Sequence, residues 1–390
     1  MKIVAIGIGQ CGCNIADELY AINNYSKSFF RRNIEILTDA FAVNTDETDL
    51  GSLRHIPKDR SHRIVMGASR THGHGVGKIN VDAADIMKET YPIIVDDVFS
   101  SRKFYESDAV VVIASGAGGT GSGSIGVMVK GLKERIQKPV YAIVVLPFAY
   151  EEKGLSYALI NTATCLRTLN QYADAVFLLD NDGFGRGGMS LAQNFKTINQ
   201  QMVANFFDLF CAGEEQTNKY MGSKVMDAGD IKQSLRGIST IGRGEVPVNS
   251  SKPWTKDHYK DASKGSVALA GAIDQAINNL CLKVNVEDAR TILALVCGPE
   301  DVITLNALAD ISNALQERSP KSVIRIGDYP RRGKEVSLTV ILSNLTASHR
   351  MDRLFTRAED FLQENEGIGR EAALRITLMH EKSAKIPSLD

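Results

Sequence analysis

The stretch Ser115-Gly116-Ala117-Gly118-Gly119-Thr120-Gly121-Ser122-Gly123 admits few structural solutions. It follows the apolar run 109–114 and precedes apolar residues at Ile125, Met128, Val129 and Leu132, so it reads as buried strand, glycine loop, helix. A glycine-dense turn delivered onto a helix N-terminus presents unpaired backbone N–H groups and the positive end of the helix dipole to an anion. Such a loop is a phosphate cradle. Glycine is needed where a side chain would block approach of the backbone to phosphate, and several positions are expected at positive φ. Thr120 and Ser122 offer hydroxyl donors. No Gly-Lys-Ser/Thr closes the loop, which excludes the Walker pattern. So many glycines also read as a flexible linker, and the flanking periodicity argues against that reading.

Short apolar runs at 3–8, 41–43, 109–114, 140–146 and 175–179 alternate with segments of helical period. Alternation of this kind predicts an α/β fold with a parallel sheet covered by helices on both faces. Ligands of such sheets bind at the carboxyl ends of the strands, where the glycine-rich and polar stretches fall. From about residue 190 a long helix is expected, opened by a Ser190–Gln193 capping box and carrying Leu191, Phe195, Ile198, Met202, Phe206 and Leu209 at helical spacing. A smaller α+β unit follows, with strand-like runs at 291–296 and 337–342 and a helical pattern at 304–315. From Met351 a stripe of Leu354, Phe355, Ala358, Phe361 and Leu362 predicts a last helix before a polar tail. The expected units are 1–189, 190–212, 213–345 and 346–390.

A chain of 390 residues that is 44% hydrophobic is long enough for two packed domains. Its 45 basic and 46 acidic side chains nearly cancel and no basic block stands out, which argues against a nucleic-acid partner. The six cysteines are scattered without a C-x-x-C pair, as in reduced intracellular proteins. The chain opens on Lys2-Ile3-Val4 without a charged leader, and no run approaches the roughly 20 apolar residues that span a bilayer. A cytoplasmic protein without a transmembrane segment is expected.

Gly118 to Gly123 resembles the tubulin signature of three glycines, threonine, glycine, serine, glycine, with Ala117 in place of the first glycine. The bacterial relative FtsZ carries nearly the same loop. Gly7-Ile8-Gly9-Gln10-Cys11-Gly12 matches the G-x-G-x-x-G dinucleotide fingerprint, which leaves an NAD(P)-dependent oxidoreductase as an alternative. Yet Gly9, Gln10, Cys11, Gly12 and Asn14 also resemble the first phosphate loop of tubulin, and that resemblance gives both glycine loops a role. It implies that these residues hold GTP together with Gly116, Ala117, Gly118, Gly119, Thr120 and Gly121. A metal bound through Cys11 and Cys13 is disfavoured, because no other cysteine or histidine pair completes a tetrahedral set.

Further segments resemble the same superfamily. Asn44-Thr45-Asp46 is similar to a segment of FtsZ near the phosphates and their cation, which implies an Mg²⁺ contact at Asp46; an Asx turn closing the strand is the local alternative. Residues 67–77 occupy the place of the loop that senses the terminal phosphate, which implies contacts at Gly73 and Gly75. His72 and His74 depart from the pattern, and solvated loop residues are the preferred reading over a metal or phosphate contact. Pro147 to Glu151 resembles the ribose-side loop of FtsZ with Glu151 at the sugar, although Leu155 stands where FtsZ has arginine. Asp180-Asn181-Asp182 is similar to a tubulin segment whose asparagine contacts guanine, which implies that role for Asn181.

Phe195 and Asn199 lie one turn apart on the long helix, so a ring could stack on a base while an amide bonds its edge. Membership of the core stripe is the alternative for Phe195, and the family position favours the ligand. Asp227 and Asp230 resemble the acids by which FtsZ reaches the nucleotide of the next subunit, with Val225 in place of the preceding asparagine. The resemblance implies that they are catalytic; a solvated helix start is the local alternative. Residues 237–245 and 298–305 also resemble FtsZ.

This mixture of tubulin-like and FtsZ-like features resembles the CetZ branch of archaeal tubulin-like proteins. The resemblance implies a GTPase that binds GTP or GDP with Mg²⁺ and polymerises head to tail with itself, in cell shape control or division. It also leaves the C-terminal tail for a membrane or division adaptor. A nucleotide-binding scaffold with little hydrolysis is a third reading, prompted by Val225.

Overall fold

The computed structural model describes residues 1–27, 34–154, 156–184, 191–215, 221–248 and 269–365. The five apolar runs of the first half become parallel strands, and a short unexpected one, β3, joins them: β1 (Ile3–Ile8), β2 (Leu37–Asn44), β3 (Arg63–Val65), β4 (Ala109–Ser115), β5 (Val140–Leu146) and β6 (Ala175–Asp180). The second half adds β7 (Gly237–Pro247), β8 (Thr291–Gly298), β9 (Val323–Pro330) and β10 (Glu335–Ser343). Together they make one ten-stranded sheet of order β3-β2-β1-β4-β5-β6-β7-β10-β8-β9. A splice of only three parallel pairs joins the halves: Ala175 with Gly237, Val176 with Ile238 and Phe177 with Ser239. Beyond it β10 runs antiparallel to both β7 and β8, and β9 is parallel to β8.

Strands β1 and β5 are buried at every residue, as their unbroken apolar runs require of a parallel sheet covered on both faces. One face is covered by α1 (Gly9–Lys27) and α8 (Leu191–Ala212), whose Ile15, Leu19, Met202 and Phe206 join a core with Ile3, Val111, Ile143 and Phe177. The other face is covered by α4 (Asn80–Ser100), α5 (Gly119–Arg135) and α7 (Ser156–Tyr172), through Met87, Ile125, Met128, Val129 and Leu166. On α8 the expected stripe buries Ile198, Met202, Phe206 and Leu209, while Phe195 stays 42% exposed. Ser190, half of the expected capping box, lies outside the described residues.

In the second half, Thr304 caps α11 (Leu305–Arg318) by accepting from the Ala307 N–H at 3.2 Å, and Ala307, Ile311 and Leu315 face the core. A helix over 269–278, α10, packs Leu269, Ala272, Ile273 and Ala276 into the same core. The last helix, 349–365, turns back onto the first half, where Leu354 and Ala358 cluster with Leu159 of α7. The tail from 366, and with it any adaptor contact, lies outside the described residues. Among the described residues no helix is long and apolar enough to cross a membrane.

At the β2 edge a charge cluster fastens the loop that leads into β3. The His62 ring stacks on Phe41 with centroids 5.4 Å apart, its Nε2 lies 3.2 Å from Asp39 Oδ1, and its Nδ1 lies 2.7 Å from Asp59 Oδ1. The hydrogen bond to Asp39, followed by that to Asp59, raises the His62 pKa to about 9, so the ring is charged at neutral pH. A folded pKa raised above the unfolded value of about 6.5 gives stability that is complete below pH ~6.5 and lost as pH rises through ~9. The melting-temperature difference between the wild type and His62→Gln should therefore shrink steadily between pH 6.5 and 9.5. A difference that is constant across that range would show that the two carboxylates do not hold the proton.

Candidate nucleotide-binding site

Two helices begin side by side at the ends of two neighbouring strands. α1 starts at Gly9 directly after β1, and α5 starts at Gly119 after β4. A Cβ placed on Gly9 would lie 3.0 Å from the Gly121 nitrogen, and one on Gly121 would lie 3.1 Å from the Ser115 carbonyl and 3.2 Å from that of Ile8. A Cβ on Gly12 would run into the Ile113 carbonyl. The two loops thus touch through glycines, and two sets of orphan N–H groups open onto one place.

Neither use expected of the second loop holds throughout. Its glycines are needed for close approach and not for positive φ: no residue of 116–123 lies in the left-handed region, whereas Gly9 does at φ +70°. The Ser122 hydroxyl donates back to the Gly118 carbonyl and is buried, so it is spent inside α5 and is no phosphate donor. Thr120 Oγ1 sits 2.7 Å from Thr45 Oγ1, which ties the end of β2 to the cradle.

Residues 67–78, which include the single turn α3 (Ala68–Thr71), close the third side. Gly67, His72, Gly73, Gly75, Gly77 and Lys78 all have left-handed backbone. This loop lies against the start of α5, because a Cβ on Gly119 would come within 2.7 Å of Val76 and 2.8 Å of the Lys78 backbone. A side chain at Gly119 would therefore displace this loop, whereas Gly118 has open space around it. The amide nitrogen of the buried Asn161 donates to the carbonyls of Lys78 (3.0 Å), Ala117 (3.2 Å) and Gly118 (3.4 Å) and staples the two loops together. A Cβ on Gly116 would press on Thr162 at 2.9 Å.

Asp46 works locally as the Asx reading has it: its Oδ1 accepts from the Thr48 and Asp49 N–H groups at 2.8 and 3.1 Å and caps α2 (Glu47–Ser52). Its backbone forms an isolated antiparallel β-bridge with that of His74. Beside it Asp49 accepts from the Gln10 and Asn44 side-chain amides, both at 2.9 Å. Its carboxyl is pushed up, by burial first and by the Asp46 charge as well. The Cys11 thiol is pushed up to about 12 by burial and then by the Glu151 carboxylate, so it remains protonated at neutral pH.

The side expected to face base and ribose is built from the ends of β5 and β6 and the short α6 (Ala149–Gly154). Glu151 Oε2 accepts from the Phe148 N–H at 2.9 Å, and the Phe148 ring stacks on Tyr150 and lies 6.1 Å from Phe195. Asp182 accepts from the Ala149 N–H at 3.0 Å, joining the turn after β6 to the turn after β5. Asn14, Asn181 and Asn199 have no side-chain hydrogen-bond partner among the described residues, although Asn181 is only 7% exposed.

Asp227 and Asp230 lie elsewhere. Asp227 caps α9 (Ala228–Ser234) by accepting from the Asp230 N–H at 2.8 Å, and Asp230 pairs with Arg325 of β9 at 3.1 Å. A Cβ on Gly213 would sit 3.5 Å from the Asp227 Cα and 3.7 Å from the Met1 nitrogen, so the acids neighbour the entry to β1 while the cradle sits at its exit. Six residues of strand separate the two ends by about 20 Å. Sequence reading missed Thr45, Asp49, Lys78 and Asn161. Asp49 had a legible signal, an acid five residues beyond Asn44, whereas Asn161 sits inside an ordinary helical period.

A parallel sheet, two glycine loops on adjacent helix N-termini and a long helix leading to a second unit define a tubulin/FtsZ-type nucleotide-binding protein. Residues 2–188 match the GTPase domain of the Tubulin/FtsZ family, and residues 188–360 match the C-terminal domain of tubulin-like CetZ. Tubulin-like protein CetZ1 of Haloferax volcanii is 30% identical over 386 residues, covering 93% of this chain and 94% of that protein. The GTPgS-bound protofilament of CetZ2 from Haloferax volcanii superposes with a TM-score of 0.82 at 26% identity, covering 94% of this chain and all of that one. The GDP-bound monomer of CetZ1 from the same organism gives 0.79 at 27% identity, covering 92% of this chain and 99% of that one. The chain belongs to the CetZ family of tubulin-like proteins.

The Asn161 staple yields a direct test. Asn161→Ala removes the side-chain donor of the Lys78 and Ala117 carbonyls, while Gly118 keeps the Ser122 hydroxyl, and the unfolding free energy should fall by about 1–3 kcal/mol, read from the urea midpoint at constant m. Asn161→Asp should be no better, since a carboxylate cannot donate to carbonyls. A wild-type midpoint in both variants would show that the loops are held by other contacts.

Proposed function

We propose that this protein is a GTPase that assembles head to tail and completes its hydrolytic site between subunits. The observation that carries the reading is the separation of the parts: the cradle lies at the exit of β1 and the Asp227–Asp230 pair at its entry. No single chain brings them together across about 20 Å of strand. A neighbour stacked along the strand direction supplies its Asp227 and Asp230 to the phosphates of the subunit below. Contacts between unlike surfaces that do not close a ring build a filament. Both ends expose apolar side chains suited to it: Tyr150 beside the ribose turn, and Met221 and Val225 beside Asp227.

In this reading the N–H groups at the starts of α1 and α5 take the phosphates and the charge that develops on them. Asn181 and Asn199 read the guanine edge with one donor and one acceptor each, and Phe195 stacks on the base. Asp46 and Asp49 suit Mg²⁺, because two neighbouring carboxylates, one of them resisting ionisation, are relieved by a divalent cation. When bound, the cation neutralises phosphate charge. The oxidoreductase reading of residues 7–12 is set aside, since that loop is one half of a two-loop cradle. We assign the filament to cell shape control or division in the cytoplasm, with the tail from 366 as the adaptor segment.

GTP should bind with strong preference over ATP, because adenine would leave Asn181 and Asn199 unpaired. Competition binding reads it directly, and equal competition by ATP removes both asparagines from the base.

A composite site further predicts complementation. Asp227→Asn keeps the α9 cap, as asparagine caps as well as aspartate, but loses the water-orienting charge. It should bind GTP, assemble and hydrolyse slowly. Gly118→Val fills space the phosphates need without striking protein, so it should fold, bind no GTP and still carry an intact Asp227. Mixed, the two should release phosphate faster than either alone. Co-assembly without recovered hydrolysis would place Asp227 outside the catalytic step.

A further inference from the structure

The last helix carries an ion network that the reading so far leaves unused. Arg350, 7% exposed, belongs to helix 349–365, which follows the second half of the sheet, yet all its partners are in the first half. Its Nε donates to Asp180 Oδ2 at 2.9 Å and its Nη2 to the Pro147 carbonyl at 3.0 Å. Nη2 also pairs with Glu152, whose side chain is fully buried. Arg357, two turns on, binds Glu152 alone, through its carboxylate at 2.6 Å and its backbone carbonyl at 3.2 Å. Apolar contacts of Leu354 and Ala358 with Leu159 already dock this helix, so anchoring it does not require an arginine fork at its first turn.

The fork's partners fall at the base side of the site. Asp180 ends β6 and immediately precedes Asn181, and Pro147 opens the turn that carries Phe148 and Glu151. On the opposite flank Asp182 binds the Ala149 N–H, so the two turns are pinned from both sides. A guanidinium joins two acceptors on separate strands at fixed geometry, which a lysine ammonium does not.

We propose that Arg350 is a positioning residue for base recognition: by gripping Asp180 and the Pro147 carbonyl it sets the turns that present Asn181 and Glu151, and it couples docking of the last helix to guanine selectivity. This rests on the guanine reading of Asn181 made above. By reciprocity, a nucleotide that needs the ordered turns tightens the helix.

The test compares full-length wild type, Arg350→Lys and Arg357→Ala by titration with GTP and ITP, which share sugar and triphosphate and differ in the base's exocyclic amine. Wild type should prefer GTP. Arg350→Lys should lose GTP affinity by about fivefold or more beyond any loss of ITP affinity through the shared sugar, the scale of one hydrogen bond, so the ratio collapses. Arg357→Ala removes a Glu152 contact of the same helix but leaves the Arg350 fork on Asp180 and Pro147 and the Leu354–Leu159 docking in place, so it should keep the wild-type ratio. A wild-type ratio in Arg350→Lys, or an equal collapse in Arg357→Ala, overturns the proposal while leaving the GTPase reading intact; failure of wild type to bind either nucleotide overturns both. Should Arg350→Lys not fold, hydrogen exchange of wild type decides: GDP should slow exchange over residues 349–358, and unchanged exchange in GDP-saturated protein counts against the coupling.

Discussion

Where β1 and β4 end, α1 and α5 start so close together that only glycine fits between them. Each N-terminus carries the equivalent of about half a positive charge and several orphan N–H groups. Bringing two such ends together is unfavourable in itself, and the contact exists because side chains have been removed from Gly9, Gly12 and Gly121 and the strands beneath are locked in register. An anion at the junction reverses the sign of the interaction. The junction is thus suited to an anion, and one bound there would add to the stability of the fold by mass action. The loops around the junction follow from the same demand: residues 67–78 take left-handed backbone at six positions to come within reach of Gly119, and Asn161 holds them there.

Much of the fold was legible because its strands are buried on both faces. Continuous apolar runs such as 140–146 leave no ambiguity of period, and β5 occupies those residues. β3 has only three residues, and β9 mixes Arg325 and Asp328 into an apolar run because its polar side chains bind the segments around Asp230 and Lys224; neither gives a clean periodic signal. In the site, short-range chemistry was readable and long-range contact was not. The glycine density of 116–123 announces a close approach, but whether an approach needs positive φ or absence of a Cβ depends on partners far away in sequence, such as Lys78 and Ile8. Ser122 looked like a donor because a hydroxyl in a phosphate loop often is; a helix of normal pitch puts it under the Gly118 carbonyl instead. Arg350 carried no local signal at all, since its meaning lies in Pro147, Glu152 and Asp180.

The three-pair splice between β6 and β7 is small; a shared apolar core, in which Phe177 and Phe206 meet Ile241, Leu293 and Ile341, presses the halves together, and buried charge adds discrimination. Asp208 of α8, 2% exposed, meets Arg331 at 2.9 Å and Arg243 at 3.4 Å, both from the second half. Glu152 meets Arg350 and Arg357 in the same manner on the first half. Buried ion pairs contribute little net stability over an apolar packing, yet losing one partner is strongly unfavourable, so they penalise any arrangement that separates them. Apolar surfaces could slide; these pairs tolerate only one or a few discrete settings. The two networks sit at opposite ends of the chain's second half, one on the central helix and one on the last. Together they make the placement of Asp227, at one end of the sheet, depend on the same rigid body that shapes the base turns at the other. In the head-to-tail stack proposed above, each subunit would be a strut whose two ends are held in fixed relation, and a nucleotide at one end would be held by the body that presents Asp227 and Asp230 at the other.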